Sequence, residues 1–175
     1  GEAIKTLTGH NEEVSCVAVI NPNTIVTGSY DGTLKIWDIT SGEAIKTLTG
    51  HYMEVSCVAV INPNTIVTGS YDRTLKIWDI NSGEVIKTLT GHSDKVNCIA
   101  MINKSVMQSI ASRRLSREQW SLRREGGRPS DLLRLESDLQ PLYDAITFVS
   151  GSEDGTIKVR STADRFGVIN PDHKQ

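Results

Sequence analysis

The chain repeats itself. GEAIKTLTGHNEEVSCVAVINPNTIVTGSYDGTLKIWDITS fills residues 1–41, and GEAIKTLTGHYMEVSCVAVINPNTIVTGSYDRTLKIWDINS fills 42–82, with differences at only 4 of 41 positions. A third copy opens at Gly83 as GEVIKTLTGHSDKVNCIAMIN and leaves the pattern after about Asn103; FVSGSEDGTIKV at 148–159 returns to it. A period of this length makes each unit one supersecondary element, which buries its apolar surface only against neighbouring copies.

Each unit carries four runs suited to strands, which in the first copy are EAIKTLT, VSCVAVI, TIVTGS and TLKIWDI. They are rich in Val, Ile and Thr and are divided by Gly9-His10, Asn21-Pro22-Asn23, Tyr30-Asp31-Gly32 and Thr40-Ser41-Gly42. No run is long enough for an ordinary helix. An isolated sheet of this size has two apolar faces and two open edges. Stacking such sheets face to face around an axis buries the faces and leaves short, protected edges, so the expected fold is all-β.

Composition narrows the class further. The 175 residues are 38% hydrophobic and 23% charged, as in an ordinary globular protein and unlike a disordered one. Nineteen basic against 21 acidic residues, net charge -2, argue against a dedicated nucleic-acid binder or a polybasic membrane-surface protein. No apolar run approaches the roughly 20 residues of a bilayer span. A start at Gly1, with no initiator Met and no signal-peptide pattern, predicts a processed start or a piece of a longer chain.

The Gly-His pair, the Thr-Gly-Ser-Tyr-Asp run and the closing Trp-Asp resemble the WD40 repeat, the blade of a β-propeller, over residues 1–103 and 147–159. The resemblance implies a partial propeller, an open arc of about three blades with room for a fourth. It implies blade bodies beginning near Val14, Val55 and Val96, with residues 2–8 an outer strand belonging to a preceding blade. It also implies a polar network in each blade: His10, Thr27, Asp31 and Trp37, then His51, Thr68, Asp72 and Trp78. In the last copy the set becomes His92, Ser150 and Asp154, and Arg160 replaces the tryptophan.

A carboxylate can hold a histidine in one tautomer, a hydroxyl can link the rings, and an indole N–H needs an acceptor. His and Asp together invite a catalytic or metal reading. Recurrence once per blade suits a structural staple better than a single active site. No lone nucleophile–base pair, phosphate loop or metal cluster is apparent, so the sequence predicts no enzyme, no cofactor and no metal. Cys16, Cys57 and Cys98 lie 41 apart, which fits one small strand position repeated and points to a reducing, cytoplasmic compartment.

Residues 104–144 break the pattern. His92 to Asp154 spans 62 residues where His10 to Asp31 and His51 to Asp72 span 21, so the surplus is one full period. That equality suggests that the segment fills the second half of one repeat and the first half of the next. Seven of the ten Arg fall there, with no Thr and one Val. Ser116-Arg117-Glu118-Gln119 fits a capping box, and Leu132, Leu135 and Leu139 share a face, so two short helices are expected. An inserted partner-binding loop, a decayed repeat, and an out-of-frame or intronic read all compete, and the abrupt change of composition favours the last two. Arg113-Arg114-Leu115-Ser116 makes Ser116 a candidate phosphorylation site, although a solvated charged loop accounts for it as well. The domain reading is therefore repeats over 1–103, a non-repeat or degenerate region over 104–144, and a blade end with tail over 145–175.

Function is expected on one face. The copies differ at Asn11/Tyr52, Glu12/Met53, Gly32/Arg73 and Thr40/Asn81, and the third copy carries Ser93, Asp94 and Lys95 after its histidine. In the blades that these units resemble, the loop after Gly-His and the turn after Asp share the upper face. Three of the four differences fall there, and Tyr30 and Tyr71 add aromatic anchors of the type common in interfaces. Drift in tolerant loops explains the pattern nearly as well. The leading expectation is a non-catalytic scaffold, a fragment of a larger propeller, that binds proteins or peptides. A lectin-like ligand-binding propeller and a truncated or frameshifted product without independent function are the alternatives. A ring completed by a longer parent chain or by self-association is also expected, since two full blades and a broken third cannot close a propeller.

Overall fold

The computed structural model describes residues 1–102 and 147–161. Every regular element among them is a strand. β1 (Val14–Asn21), β2 (Thr24–Ser29), β3 (Leu34–Asp38) and β4 (Ala44–Leu48) form one antiparallel sheet in that order. β5 (Val55–Asn62), β6 (Thr65–Ser70), β7 (Leu75–Asp79) and β8 (Val85–Leu89) form a second in the same register. β9 (Val96–Met101), β10 (Thr147–Ser152) and β11 (Ile157–Ser161) form a third, ordered β11–β10–β9. β1, β5 and β9 thus begin at the three valines where the repeat phasing places the blade bodies.

The chain divides into two compact units. Gly1–Ala100 with Val149–Lys158 form one, and Met101–Phe148 with Val159–Gln175 form the other. In the first unit the inner strands are buried on both faces, as strands sandwiched between sheets must be: Val26, Leu34, Ile36 and Trp37 in the first sheet, Ile66, Val67, Leu75 and Trp78 in the second. One apolar cluster runs from Val26, Leu34, Ile36 and Leu48 to Val55, Ile66 and Trp78, so the first two sheets share a core. Of the second unit, the side chain of Phe148 is fully buried.

Close approach between sheets explains a glycine in each TGS run. A Cβ on Gly28 would stand 2.7 Å from Val55 Cγ1, and one on Gly69 would stand 2.6 Å from Val96 Cγ1. Only glycine admits the valine of the next sheet at that distance. Beside each contact a serine hydroxyl crosses the joint: Ser15 Oγ donates to the Val55 carbonyl, and Ser56 Oγ to that of Val96.

Two expectations need correction. Residues 2–8 form no strand, although the identical EAIKTLT at 43–49 contains β4. The difference is the partner: Leu48 and Thr47 lie opposite Leu34 and Lys35, and the extended backbone of a strand is held by such a ladder rather than by its own sequence. The surplus of one period falls between β9 and β10, which belong to the same sheet, and not across a boundary between two sheets. Its division into two half-repeats therefore does not describe it. The helices expected near 116–119 and 130–139, and Ser116 itself, lie outside the described residues.

Candidate functional site

The polar network forms in all three sheets. His51 Nδ1 donates to Asp72 Oδ2 at 2.7 Å, since a carboxylate only accepts. Its Nε2 meets Thr68 Oγ1 at 2.8 Å, and that oxygen accepts the indole N–H of Trp78 at 2.8 Å. His10, Thr27, Asp31 and Trp37 repeat the arrangement at 2.8 to 3.0 Å. In the third sheet His92 reaches Asp154 at 3.0 Å and Ser150 at 2.9 Å, although 62 residues separate histidine from aspartate. Repeat halves that look unrelated in sequence are thus one unit in space.

Burial of Asp31 and Asp72 works against their charge, but the hydrogen bonds aimed at them outweigh it. For Asp72 these come from His51 and Thr74, and for Asp31 from the Thr33 hydroxyl, the Asn11 N–H and His10; both carboxyls are held well below the usual range. The Thr156 hydroxyl does most to hold the Asp154 carboxyl low in the same way. Sequence reasoning missed these threonines. Thr33, Thr74 and Thr156 each donate side-chain O–H to the aspartate two residues earlier, at 2.6 Å. The signal was present, as Asp-x-Thr in every copy.

The network also fixes the neighbouring loop, and it does so through backbone atoms. The same aspartates accept from the backbone N–H of Asn11 (3.0 Å), Tyr52 (3.2 Å) and Ser93 (2.9 Å). Ser29, Ser70 and Ser152 donate to the carbonyls of Glu12 (3.3 Å), Met53 (3.3 Å) and Asp94 (2.9 Å). The N–H groups of Tyr30, Tyr71 and Glu153 bond the carbonyls of Glu13, Glu54 and Lys95. Three successive loop residues per sheet are therefore held by main-chain groups; in the third loop the Asp94 carboxylate also accepts from the Lys95 N–H at 2.8 Å. Those serines were also missed, though they too recur in each copy.

The turn after each aspartate comes to the same end of the strands. A Cβ on Gly32 would lie 3.3 Å from Met53 O and 3.6 Å from His51 O. Gly32 and Gly155 have φ of 76° and 77°, and Arg73 at the equivalent place keeps φ at 69°, the only positive value among described residues other than glycine. The side chains of Asn11, Glu12, Tyr52, Met53, Arg73, Ser93 and Asp94 are exposed, and Tyr52 is 91% exposed. Tyr30 and Tyr71 stand with ring centroids 6.3 Å apart, Lys95 Nζ lies 4.6 Å from the Tyr71 centroid, and it pairs with Glu153 at 3.8 Å. Tyr71 and the Glu13 and Glu54 carboxylates push the Tyr30 hydroxyl pKa up. Thr40 and Asn81 sit at the other end of the strands, where their N–H groups bond Asp38 and Asp79.

Among the described residues, no group of three or more His, Cys, Asp or Glu is placed to hold a metal ion. No helix among them is long and apolar enough to cross a membrane, which says nothing of a β-barrel. Burial raises the Cys16 thiol and pushes Cys57 up to about 12, so both are protonated packing groups at neutral pH.

The family model described as WD domain, G-beta repeat matches residues 1–38, 42–79 and 83–109. Ribosome biogenesis protein WDR12 homolog of Drosophila mojavensis is 53% identical over 34 residues, 19% of this chain and 8% of that protein. Protein tipD of Dictyostelium discoideum is 48% identical over 42 residues, 24% of this chain and 7% of that protein. The aligned stretches thus span less than a tenth of these curated relatives. Among solved structures, the WD40 β-propeller domain of Doa1 matches with a TM-score of 0.63 at 24% identity, covering 90% of this chain and 40% of that one.

Proposed function

The chain belongs to the WD domain, G-beta repeat family, and from that premise we propose that it is a non-catalytic scaffold that binds protein or peptide partners through the loops at the Asp31–Asp72–Asp154 end of its sheets. The observation that carries this reading is the division of labour in those loops. Constant aspartates and serines hold the backbone of residues 11–12, 52–53 and 93–94, while the side chains there change from Asn-Glu to Tyr-Met to Ser-Asp. A frame that is invariant and a display that is not is what recognition requires. Arg73 supports it from another side, since an arginine held at positive φ where two other turns use glycine keeps a strained backbone for the sake of an exposed side chain.

Tyr52, Met53, Tyr71 and Arg73 are the anchors in this reading, because aromatic rings and arginine dominate the energetics of protein interfaces. Asn11, Glu12, Tyr30, Ser93, Asp94 and Lys95 form its rim. The staples built on His10, His51 and His92 act structurally, and residues 104–144 are a non-repeat insertion or degenerate region between 1–103 and 145–175. We place the chain in the cytoplasm, where free thiols such as Cys16 and Cys57 stay reduced.

Pulldown from lysate with quantitative mass spectrometry tests this. Tyr52→Ala, Met53→Ala, Tyr71→Ala and Arg73→Ala combined should deplete the specifically retained proteins, while circular dichroism and melting temperature hold. Thr40→Asn with Asn81→Thr, at the other end of the strands, should change neither. Retention that follows the second pair and ignores the first set would refute the face, and saturable signals on a glycan array would favour a ligand-binding propeller.

A further inference from the structure

Each sheet brings an equivalent pair of residues to the Asp31–Asp72–Asp154 end. Glu13, Glu54 and Lys95 directly precede β1, β5 and β9, and Tyr30, Tyr71 and Glu153 directly follow β2, β6 and β10. The second member of each pair donates its backbone N–H to the carbonyl of the first, at 2.9 to 3.0 Å, so the pairing is fixed by the main chain whatever the side chains are. Neighbouring sheets then set two such pairs side by side.

The two junctions are filled differently. Between the second and third sheets a cation is present: Lys95 Nζ lies 4.6 Å from the Tyr71 centroid and 3.8 Å from Glu153 Oε2, so one ammonium meets a ring and a carboxylate at once. Between the first and second sheets Tyr30 takes the part of Tyr71, Glu54 that of Lys95, and Tyr71 that of Glu153. The Tyr30 and Tyr71 rings stand 6.3 Å apart and 41° from parallel. Besides Tyr71, the Glu13 and Glu54 carboxylates act on the Tyr30 hydroxyl, which places both acids beside the ring pair. Gly32 stands here where the other junction has Arg73. Two rings and two carboxylates thus come together between two complete four-stranded sheets, and among the described residues no lysine or arginine pairs with either acid or lies over the Tyr30 ring.

Resting on the reading that this end of the sheets takes a protein or peptide, we propose that the junction between the first two sheets receives a basic side chain of that partner, lysine or arginine, seated against Tyr30 and Tyr71 and paired with Glu54 and Glu13. Lys95 does for the second junction what the partner does for the first, and the chain therefore carries its own example of the contact. The face of a tyrosine ring is electronegative and a carboxylate is anionic, so both select the same charge. Tyr30 and Glu13 are exposed and Tyr71 and Glu54 half-buried, which leaves the place open to a side chain arriving from outside.

Nuclear magnetic resonance of the chain, isotope-labelled at its tyrosine rings, tests this with N-acetyl-arginine amide, N-acetyl-lysine amide and, as the neutral control, the lysine amide acetylated on its side chain. The cationic amides should move the Tyr30 and Tyr71 ring signals saturably, by about fivefold more than the neutral one at equal concentration. Tyr30→Leu keeps every charge and Glu54→Gln keeps both rings; each should weaken binding by about threefold to tenfold while leaving the circular dichroism spectrum intact. Glu54→Lys should abolish binding by seating a cation of the chain's own, as at Lys95. Equal shifts from the neutral amide, or none from any, would overturn the proposal. Weakening by Glu54→Gln but not by Tyr30→Leu would overturn it as well, since diffuse charge attraction would then suffice. The lysate pulldown keeps this failure apart from that of the binding face: proteins still retained, and still lost with Tyr52→Ala, Met53→Ala, Tyr71→Ala and Arg73→Ala combined, would leave the face standing while the amides fail.

Discussion

Trp78→Ala is the sharpest test of the staple, because the structure sets both the size of its effect and its control. The indole is completely buried, its ring lies 5.9 Å from the His51 ring, and its N–H donates to Thr68 Oγ1 at 2.8 Å. Gly50 abuts the far edge, where a Cβ would stand 3.0 Å from Cη2. Truncating a buried tryptophan to alanine costs about 3–5 kcal/mol through lost transfer energy and the cavity left behind. The hydrogen bond adds little to this, about 1 kcal/mol, because Thr68 Oγ1 keeps its bond to His51 Nε2. Trp78→Phe keeps most of the packing and loses the N–H, so it should cost about 1–2 kcal/mol. An ordinary domain has only about 5–15 kcal/mol in all, so the alanine variant loses at least about a fifth of its stability. Urea unfolding followed by circular dichroism, at fixed protein concentration, reads this directly. With a slope of about 1–3 kcal/mol per molar urea, the midpoint should fall by about 2 M for alanine and by under half that for phenylalanine. An unchanged midpoint would refute the blade reading of this repeat. Phenylalanine costing as much as alanine would put the effect in the hydrogen bond and refute the packing argument.

Three more outcomes follow from the same contacts. The Asp31, Asp72 and Asp154 carboxyls are held below their unfolded values, so they contribute stability that is fully present above about pH 4 and is lost as pH falls toward their folded values; the urea midpoint should be level near neutrality and fall in acid, and a level midpoint down to pH 3 would contradict this. Arg73→Gly relieves a left-handed residue at about 1–2 kcal/mol and returns part of it as unfolded-state entropy, for a net gain of about 0.5–1 kcal/mol in thermal unfolding, and Gly32→Arg should lose a similar amount. Destabilisation by Arg73→Gly would mean that the arginine side chain supports the fold. Cys57, with its thiol pushed up to about 12 by burial, should alkylate more slowly at neutral pH than Cys16 or Cys98, and equal rates would show that it is not buried as described.

The sheets were legible because a 41-residue period compares the chain with itself. The TIVTGS and LKIWD runs kept in both copies are largely buried, while Val17, Val19 and Ile45, equally kept, are exposed, so repetition locates the strands and not which of them lie inside. The staples were legible too, since His, Asp and hydroxyl types recur at fixed offsets. What periodicity cannot supply is the partner. Residues 2–8 and 43–49 are the same seven residues, yet only the second group forms a strand, because strand formation depends on what lies alongside. The surplus before Asp154 misled for a related reason: its length matched a repeat, but the pairing of β9 with β10 is decided by three-dimensional complementarity and not by residue count.

The loop anchors show why fold and candidate face are not separable in this chain. One carboxylate oxygen of Asp72 takes both the His51 ring N–H and the Tyr52 backbone N–H, and the other takes the Thr74 hydroxyl and its N–H. The buried staple and the exposed display therefore hang on a single side chain. A substitution such as Tyr52→Ala removes contact surface and leaves this junction intact, whereas Asp72→Asn loosens the staple and the loop together. A binding defect seen with Asp72→Asn thus says nothing about contact unless stability is measured beside it. Arg73→Gly separates the two in the other direction, because it should raise stability while lowering partner retention. Strain kept at Arg73 but absent at Gly32 and Gly155 is the form in which a requirement of recognition would show in the backbone.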